Sequence, residues 1–262
     1  MSINTDSGLR LVVTQPMLMP WHGMFSQLMM ADRILIYDDV QLPHGGGASR
    51  GFMTRVQLKS PQGIDWLSVP VQRAGHGNQR ICDVKVVDND WRSKHLSKIR
   101  QIYKKAPYFD DVFEHVVAPI YQNNSENLSD FLVDSMRIIS PFFGVTATFE
   151  RTSHGVWSSE LSGTDRLIEI CRQVGASDYI SGHGGMNYID YVPFEKNGIK
   201  INYLSYQIKQ YDQLFGDFTP YISIIDLLFC VGLQNARNYL ENDLVYWKDW
   251  PQKINGRPAK LN

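Results

Sequence analysis

Between residues 11 and 37 two short apolar runs flank a helical pattern, and that order restricts the chain to a parallel βαβ unit. Residues 11–14 read as a buried strand. Gln15-Pro16 ends it, and Pro20 stands where a helix over 21–31 begins, a position that suits its fixed φ and missing N–H. Residues 33–37 form the second apolar run, closed by Asp38-Asp39. Two strands joined through a helix pair in parallel by a right-handed crossover. Such sheets hold ligands beyond the carboxyl ends of their strands.

The same alternation continues downstream. Residues 52–58 and 65–71 read as a hairpin turning at Ser60-Pro61-Gln62-Gly63, with loops at 43–49 and at Gly75-His76-Gly77. Residues 81–87 alternate as a strand would. Helical patterns cover 91–105, stopped by Ala106-Pro107, and 124–139, stopped by Ser140-Pro141. A short strand at 146–150 precedes a helix at 162–174 with Gly175 past its end, then strands at 179–181 and 199–206 and an apolar helix at 223–231. The expectation is an α/β fold: a mostly parallel, Rossmann-like (HUP-like) sheet with flanking helices, a β-hairpin insertion at about 50–88 and a helical C-terminal part. One domain spans 10–250, with a disordered tail at 1–9 and a frayed tail at 251–262.

Charge and composition narrow the function. The 262 residues carry 26 Lys+Arg against 27 Asp+Glu, so the basic excess of a dedicated nucleic-acid binder is missing. No apolar run reaches the roughly 20 residues of a spanning helix, and the opening MSINTDSGLR does not read as a signal peptide. A cytoplasmic protein without membrane insertion is expected. Cys82, Cys171 and Cys230 are odd in number and far apart, which argues for reduced thiols and against a disulfide framework. No metal site is indicated.

Several clusters carry chemistry. Gln15, Trp21, His22 and Gly23 stand between a strand and a helix start, where backbone N–H groups attract anions and Gly permits close approach; the alternative is that Trp21 anchors the core. Asp38, Asp39 and Gln41 follow a strand end, suited to ribose hydroxyls, a metal ion or an amine, or simply to a solvated turn. Arg50 and Arg55 could fork onto a diphosphate or form surface ion pairs. Gly182-His183-Gly184-Gly185, followed by Tyr188, could nest an anion, with His183 as general base. It is neither a P-loop nor a GxGxxG fingerprint. Asp226, an acid in an apolar helix, must be paired or face a cavity.

Taken together, these segments resemble the WbqC-like family of bacterial proteins. The resemblance rests on Gln15-Pro16, Pro20-Trp21, Gly23-Met24-Phe25 and Tyr37-Asp38-Asp39-Val40-Gln41. It continues through Arg55, Trp66-Leu67-Ser68-Val69-Pro70-Val71, Trp91 with His95, and Arg166-Leu167-Ile168. It closes on Tyr179-Ile180-Ser181-Gly182, Phe218-Thr219-Pro220 and Ser223-Ile224-Ile225-Asp226-Leu227-Leu228-Phe229. It spans residues 10 to about 235. One departure is the stretch Gly45 to Arg55, where the family's Trp and Arg-Asn-Arg cluster is thinned to Arg50 and Arg55.

The resemblance implies a role in O-antigen or other surface polysaccharide biosynthesis, attaching an amino acid or other acyl group to the amine of a nucleotide-linked (dTDP or UDP) amino sugar. Half of a HIGH-type motif at His22-Gly23 resembles enzymes that work through acyl-adenylates, which would bring in ATP and Mg²⁺. On this reading Arg50 and Arg55 hold diphosphate, and His22 steadies charge at the acyl centre. His183 or Asp38 takes the amine proton, and Asp226 positions the sugar. Gln15, Trp21, Gly23, Asp39, Gln41, Gly182 and Tyr188 complete the expected binding set. Two alternatives stand beside it. One is a non-catalytic protein that binds a sugar precursor or carrier. The other is acyl transfer from a carrier-protein thioester, docked on Lys94, Lys98, Arg100, Lys104 and Lys105. A homodimer is compatible with either.

Overall fold

A computed structural model describes residues 8–43, 53–72, 78–87, 89–158, 160–254 and 257–258. Arg50, the loop at 75–77, the loop at 43–49 beyond Pro43, residues 1–7 of the first expected tail and residues 255, 256 and 259–262 of the second lie outside the described residues. The chain begins with β1 (Leu9–Thr14), α1 (His22–Met29) and β2 (Arg33–Ile36), the βαβ unit that the apolar runs predict. β1 pairs in parallel with β2 on one side and with β6 (Ala176–Ser181) on the other. With β5 (Thr148–Arg151), β7 (Lys200–Ser205) and β8 (Asp243–Tyr246) the sheet runs β5-β2-β1-β6-β7-β8. All neighbours are parallel except the edge strand β8, which pairs antiparallel with β7. The fold is therefore α/β and Rossmann-like.

Side-chain alternation divides two cores between the faces of this sheet. Val12, Ile34, Ile36 and Ile180 point to the face covered by Phe25 and Leu28 of α1. Leu11, Leu35, Tyr179 and Tyr203 point to the opposite face, covered by Leu167, Ile170 and Cys171 of the helix Gly163–Val174. Strands buried on both faces have no polar side to show, which is why β1 and β2 read as short apolar runs.

Around the first face a second layer is built from α2 (Trp91–Tyr103), α3 (Phe109–Val112), α4 (Ala118–Gln122) and α5 (Leu128–Ile139). A π-helical turn, Phe113–Val117, joins α3 to α4. The sequence pattern marks no element there, between the stop at Ala106-Pro107 and the helix expected from residue 124. Pro119 lies in the first turn of α4, where its missing N–H costs nothing. α5 begins later than the pattern suggests, because Asn127 caps it by accepting from Asp130 N. Opposite, α6 (Gly163–Val174) ends at Gly175 in the left-handed region at φ 72°, as its glycine predicts.

The hairpin is present as β3 (Arg55–Ser60) and β4 (Gly63–Ser68), turning at Pro61-Gln62. Lys98 on α2 fixes it by bonding Asp65 at 2.6 Å and the Trp66 carbonyl at 3.1 Å. Residues 81–87 are not the expected strand. Ile81–Asp83 is a 3₁₀ turn, followed by single bridges from Lys85 to Asn127 and from Val86 to Val71. Ile81, Val84 and Val86 are all buried, and the spacing of three between the first two belongs to the turn. The C-terminal part holds α7 (Tyr191–Lys196) before β7 and α8 (Ile224–Val231) after it. It also returns β8 to the sheet, and Lys253–Ile254 pairs with Arg257–Pro258, so this part is less helical than expected. Among the described residues no helix is long and apolar enough to cross a membrane.

One buried ion pair ties the carboxyl ends of β2 and β5 to α5. Asp38 has no exposed surface; it accepts from Arg151 Nε at 2.6 Å, Ser129 Oγ at 2.8 Å, and Ser153 through both N–H and Oγ at 3.0 Å. Arg151 also pairs with Asp130. Removing one partner of such a pair strands the other in low dielectric. Asp38→Ala should therefore lower stability by about 3–5 kcal/mol in urea denaturation. Asp32→Ala, which breaks the exposed Arg10–Asp32 pair, should cost less than about 1 kcal/mol. Equal losses for the two variants would contradict this account.

Candidate functional site

The strand order reverses between β1 and β6. The chain leaves β1 for α1 on one face and leaves β6 for α7 on the other, so the two carboxyl ends part with no crossover above them. A crevice of about 750 Å³ opens there. Its floor is Thr14 and Gln15 at the end of β1 and Ser181 and Gly182 at the end of β6. Met24 and Gln27 of α1 form one side; Gly163 and Leu167 of α6 form the other. Tyr37, just past β2, and Tyr188 add two aromatic rings to the wall.

Local sequence explains each wall. Gln27 is polar on an otherwise apolar helix face because its Nε2 donates to the Ile180 carbonyl at 2.9 Å, holding α1 over the end of β6. The glycines after β6 serve different needs. A Cβ on Gly185 would fall 2.2 Å from Ser181 Oγ, so that glycine is required by packing. A Cβ on Gly184 would meet nothing within 4 Å, so that glycine faces open space. At the start of α6, Gly163 lines the crevice at φ 54° and Ser162 makes no side-chain cap, so the positive end of the helix adjoins the crevice, with Asp165 of the same turn partly offsetting it.

Tyr37 is held from behind. The Arg166 guanidinium lies over its ring, 4.9 Å from the centroid. Arg166 Nη2 is paired with Asp39, whose other oxygen accepts from Thr152 Oγ1 at 2.6 Å. Arg166 Nε is buried with no hydrogen-bond partner among the described residues. Burial raises the Tyr37 hydroxyl above its ordinary value, opposed by the Arg166 charge.

The expected site residues divide by place. Gln15, Gly182 and Tyr188 line the crevice, and Asp39 stands behind it through Arg166. Trp21, His22 and Gly23 do not line it. The Trp21 indole covers Gly23, where a Cβ would fall 2.4 Å from the ring, so that glycine admits a tryptophan instead of a ligand. Tyr206 and Tyr221 close over the same helix start, with ring centroids 5.0 and 5.1 Å from Trp21. His22 is buried among them, its Nε2 without a partner among the described residues, and burial pushes its pKa down to about 4.

Asp38 is fully engaged inside the protein, and its pKa is lowered: burial would raise it, but the Ser129, Ser153 and Arg151 hydrogen bonds outweigh that. Its oxygens are engaged by protein donors, so it has no role as base in the crevice. Gln41 is exposed and donates to Asn78 at 3.0 Å. Arg55 lies 4.3 Å over the Trp66 ring on the hairpin. His183 directs Nε2 to the Leu204 carbonyl at 2.7 Å and packs its ring against Trp250, away from the crevice wall. On α2, Lys94 pairs with Asp90 and Lys98 with Asp65. Tyr37, Arg166, Gln27 and Gly163 carry no role in the sequence reading. The signal was available: each stands at a strand end, on the βα helix or at a helix start, and all face the same end of a parallel sheet.

Asp226 sits between two phenols, accepting from Tyr103 at 3.0 Å and Tyr211 at 2.9 Å, with no exposed surface. It cannot position a sugar in the crevice. Tyr211 is joined through Gln213 to Lys59 on β3, so the acid locks α8, α2 and the hairpin together. Nor do the acids fit a Mg²⁺ ion. Asp38 and Asp39 already accept protein donors on both oxygens. Among the described residues no group of three or more His, Cys, Asp and Glu could hold a metal.

A sequence model of the WbqC-like protein family matches residues 15–238. The chain belongs to the WbqC-like family. The match begins at Gln15, on the crevice floor, and runs past Gly163, Gly182 and Tyr188. An uncharacterized protein of Mycobacterium tuberculosis, Rv1507c, is 31% identical over 235 residues, covering 88% of this chain and 97% of that protein. No solved structure matches this WbqC-like chain.

Burial pushes the Asp226 pKa from 3.8 up to about 6, against the hydrogen bonds from Tyr211 and Tyr103. The folded chain therefore holds that proton more tightly than the unfolded chain. Its stabilising contribution is complete below about pH 4 and is lost as pH rises through about 6. His22 and His95, both lowered to about 4 mainly by burial, act in the opposite sense, losing stability as pH falls from about 6.5. Urea titrations of Asp226→Asn and wild type isolate the acid, because the histidines cancel. The variant should gain stability relative to wild type between pH 4 and pH 7. A pH-independent difference would refute the buried-proton assignment.

Proposed function

We propose that the crevice between β1 and β6 binds a nucleotide-linked amino sugar (UDP or dTDP) and that the protein transfers an amino acid or other acyl group to the sugar amine. The observation that carries this reading is the convergence of three ligand features on one crevice. They are the positive start of α6, the Gly182–Gly185 turn and the aromatic rings of Tyr37 and Tyr188. Helix starts and glycine turns suit phosphate, and aromatic rings suit a base or sugar. Family membership supports the same substrate class, since the resemblance implies work on amino sugars of surface polysaccharides.

In the transfer, the neutral amine attacks an activated carbonyl, the new C–N bond forms as the donor's C–S bond (thioester) or C–O bond (acyl-adenylate) breaks, and the amine proton leaves with the departing thiol or to solvent. His183 is turned to the Leu204 carbonyl and Asp38 is engaged by Arg151 and Ser129, so neither is placed to take the amine proton, and His22, outside the crevice lining, is not placed to steady charge there. The N–H groups of the α6 start and of the turn after β6 remain as donors that can steady charge on phosphate or on a carbonyl oxygen.

The test is direct. The protein is incubated with UDP- or dTDP-amino sugars and with acyl donors of two kinds: carrier-protein thioesters, or an amino acid with ATP and Mg²⁺. Mass spectrometry should show the amide-bearing sugar nucleotide. Binding without any amide product would instead favour a precursor-binding protein. Gly184→Leu puts a side chain into open space without backbone strain. It should weaken sugar-nucleotide binding by about tenfold or more while leaving the melting temperature within about 2 °C. An unchanged affinity would exclude this crevice as the site.

A further inference from the structure

Two aromatic side chains in the crevice stand apart from the protein's own ring clusters. Rings elsewhere pair densely, as in Tyr103–Phe229 and Tyr191–Trp247, stacked at 4.5 and 4.3 Å. Neither Tyr37 nor Tyr188 pairs with another ring among the described residues, although both line the same cavity. They differ in their support. Tyr188 is 59% exposed. Tyr37 is half-buried and clamped: Arg166 covers one face of its ring, and Arg166 is fixed by Asp39, which is fixed in turn by Thr152. The Tyr37 backbone is pinned as well, with its N–H donating to the Thr14 carbonyl at 2.7 Å on β1.

We infer that Tyr37, backed by Arg166, is the platform on which the pyrimidine base of the nucleotide stacks. This rests on the reading of the crevice as a nucleotide-sugar site, and it sets the direction in which the ligand lies. With the base at Tyr37 by the end of β2, the diphosphate runs toward the α6 start and the Gly182–Gly185 turn. The sugar then extends toward Tyr188 at the rim.

The charge on the covered face selects the base over a sugar ring. A pyranose binds an aromatic face through polarised C–H groups, which need the negative face of the ring quadrupole. A guanidinium on the far side draws that density toward itself and weakens the attraction. A planar base depends chiefly on dispersion and overlap, and every base offers a π face. The Arg166–Asp39 pair is buried, so it persists at ionic strengths that screen exposed pairs.

The test uses the full chain with UDP, uridine monophosphate, inorganic pyrophosphate and free glucosamine as probes. In the wild type, one-dimensional NMR should show the uracil H5 and H6 resonances of UDP moving upfield on binding, the ring-current mark of stacking. Calorimetry should show Tyr37→Leu losing about tenfold or more in affinity for UDP and for uridine monophosphate. Its pyrophosphate affinity should stay within about twofold. Tyr37→Phe, which keeps the ring, should stay within about threefold for all probes. Arg166→Gln should weaken UDP by a smaller factor. If UDP binds with no upfield shift, or if Tyr37→Leu binds it as wild type does, the stacking assignment is wrong while the nucleotide site stands. Loss of affinity in Tyr37→Phe equal to that in Tyr37→Leu would move the contact to the hydroxyl and equally overturn it. If glucosamine binds and no nucleotide does, both this inference and the nucleotide-sugar reading fall.

Discussion

Parallel pairing of β1 with both β2 and β6 is the constraint on which the rest depends. It places one strand at the centre of the sheet with α1 and α6 on opposite faces, and it divides the core into the two clusters those helices cover. Once crossovers depart to opposite faces, no connection can roof the gap between the two carboxyl ends. The crevice is thus a consequence of backbone topology, before any side chain is chosen. What the side chains add is its character: glycine where the β6 turn must pass close to Ser181, an uncapped helix start, and two rings without ring partners.

The acids that attract attention in the sequence turn out to serve the scaffold, for a common physical reason. Burying a carboxylate is tolerable only when donors saturate it or when it keeps its proton. Asp38 follows the first route, surrounded by Arg151, Ser129 and Ser153, and its pKa is lowered. Asp226 leans toward the second, held by two phenols and raised to about 6. Asp39 is bound to Arg166 and Thr152 at the back of the crevice. Its influence reaches a ligand only through Arg166 and Tyr37. A strand-end acid in this fold is therefore as much a means of rigidifying the wall as a source of chemistry.

The βαβ start, the strands at β6 and β7, the hairpin, the Gly175 stop and the family could all be read from residue order. Those features rest on local signals: period, turn residues and caps. At the site, Gln15, Gly182 and Tyr188 were legible because each follows a strand in a glycine- or proline-marked turn. Gly23 misled because a glycine in the first turn of a helix signals close approach without saying by what. Only the folded chain shows that the neighbour is Trp21.

By itself, then, the sequence determined the α/β alternation, the parallel pairing that short apolar runs impose, and membership of the WbqC-like family. Tertiary structure decided which strand ends adjoin and which face each helix covers. It also decided which polar groups meet across long separations: Arg166 with Tyr37 and Asp39, Arg151 with Asp38, Tyr103 and Tyr211 with Asp226. The division has a physical cause. Periodicity and turn chemistry act over a few residues and leave a trace in their order. The meeting of side chains from distant segments depends on strand order and helix handedness, which no short window of sequence contains.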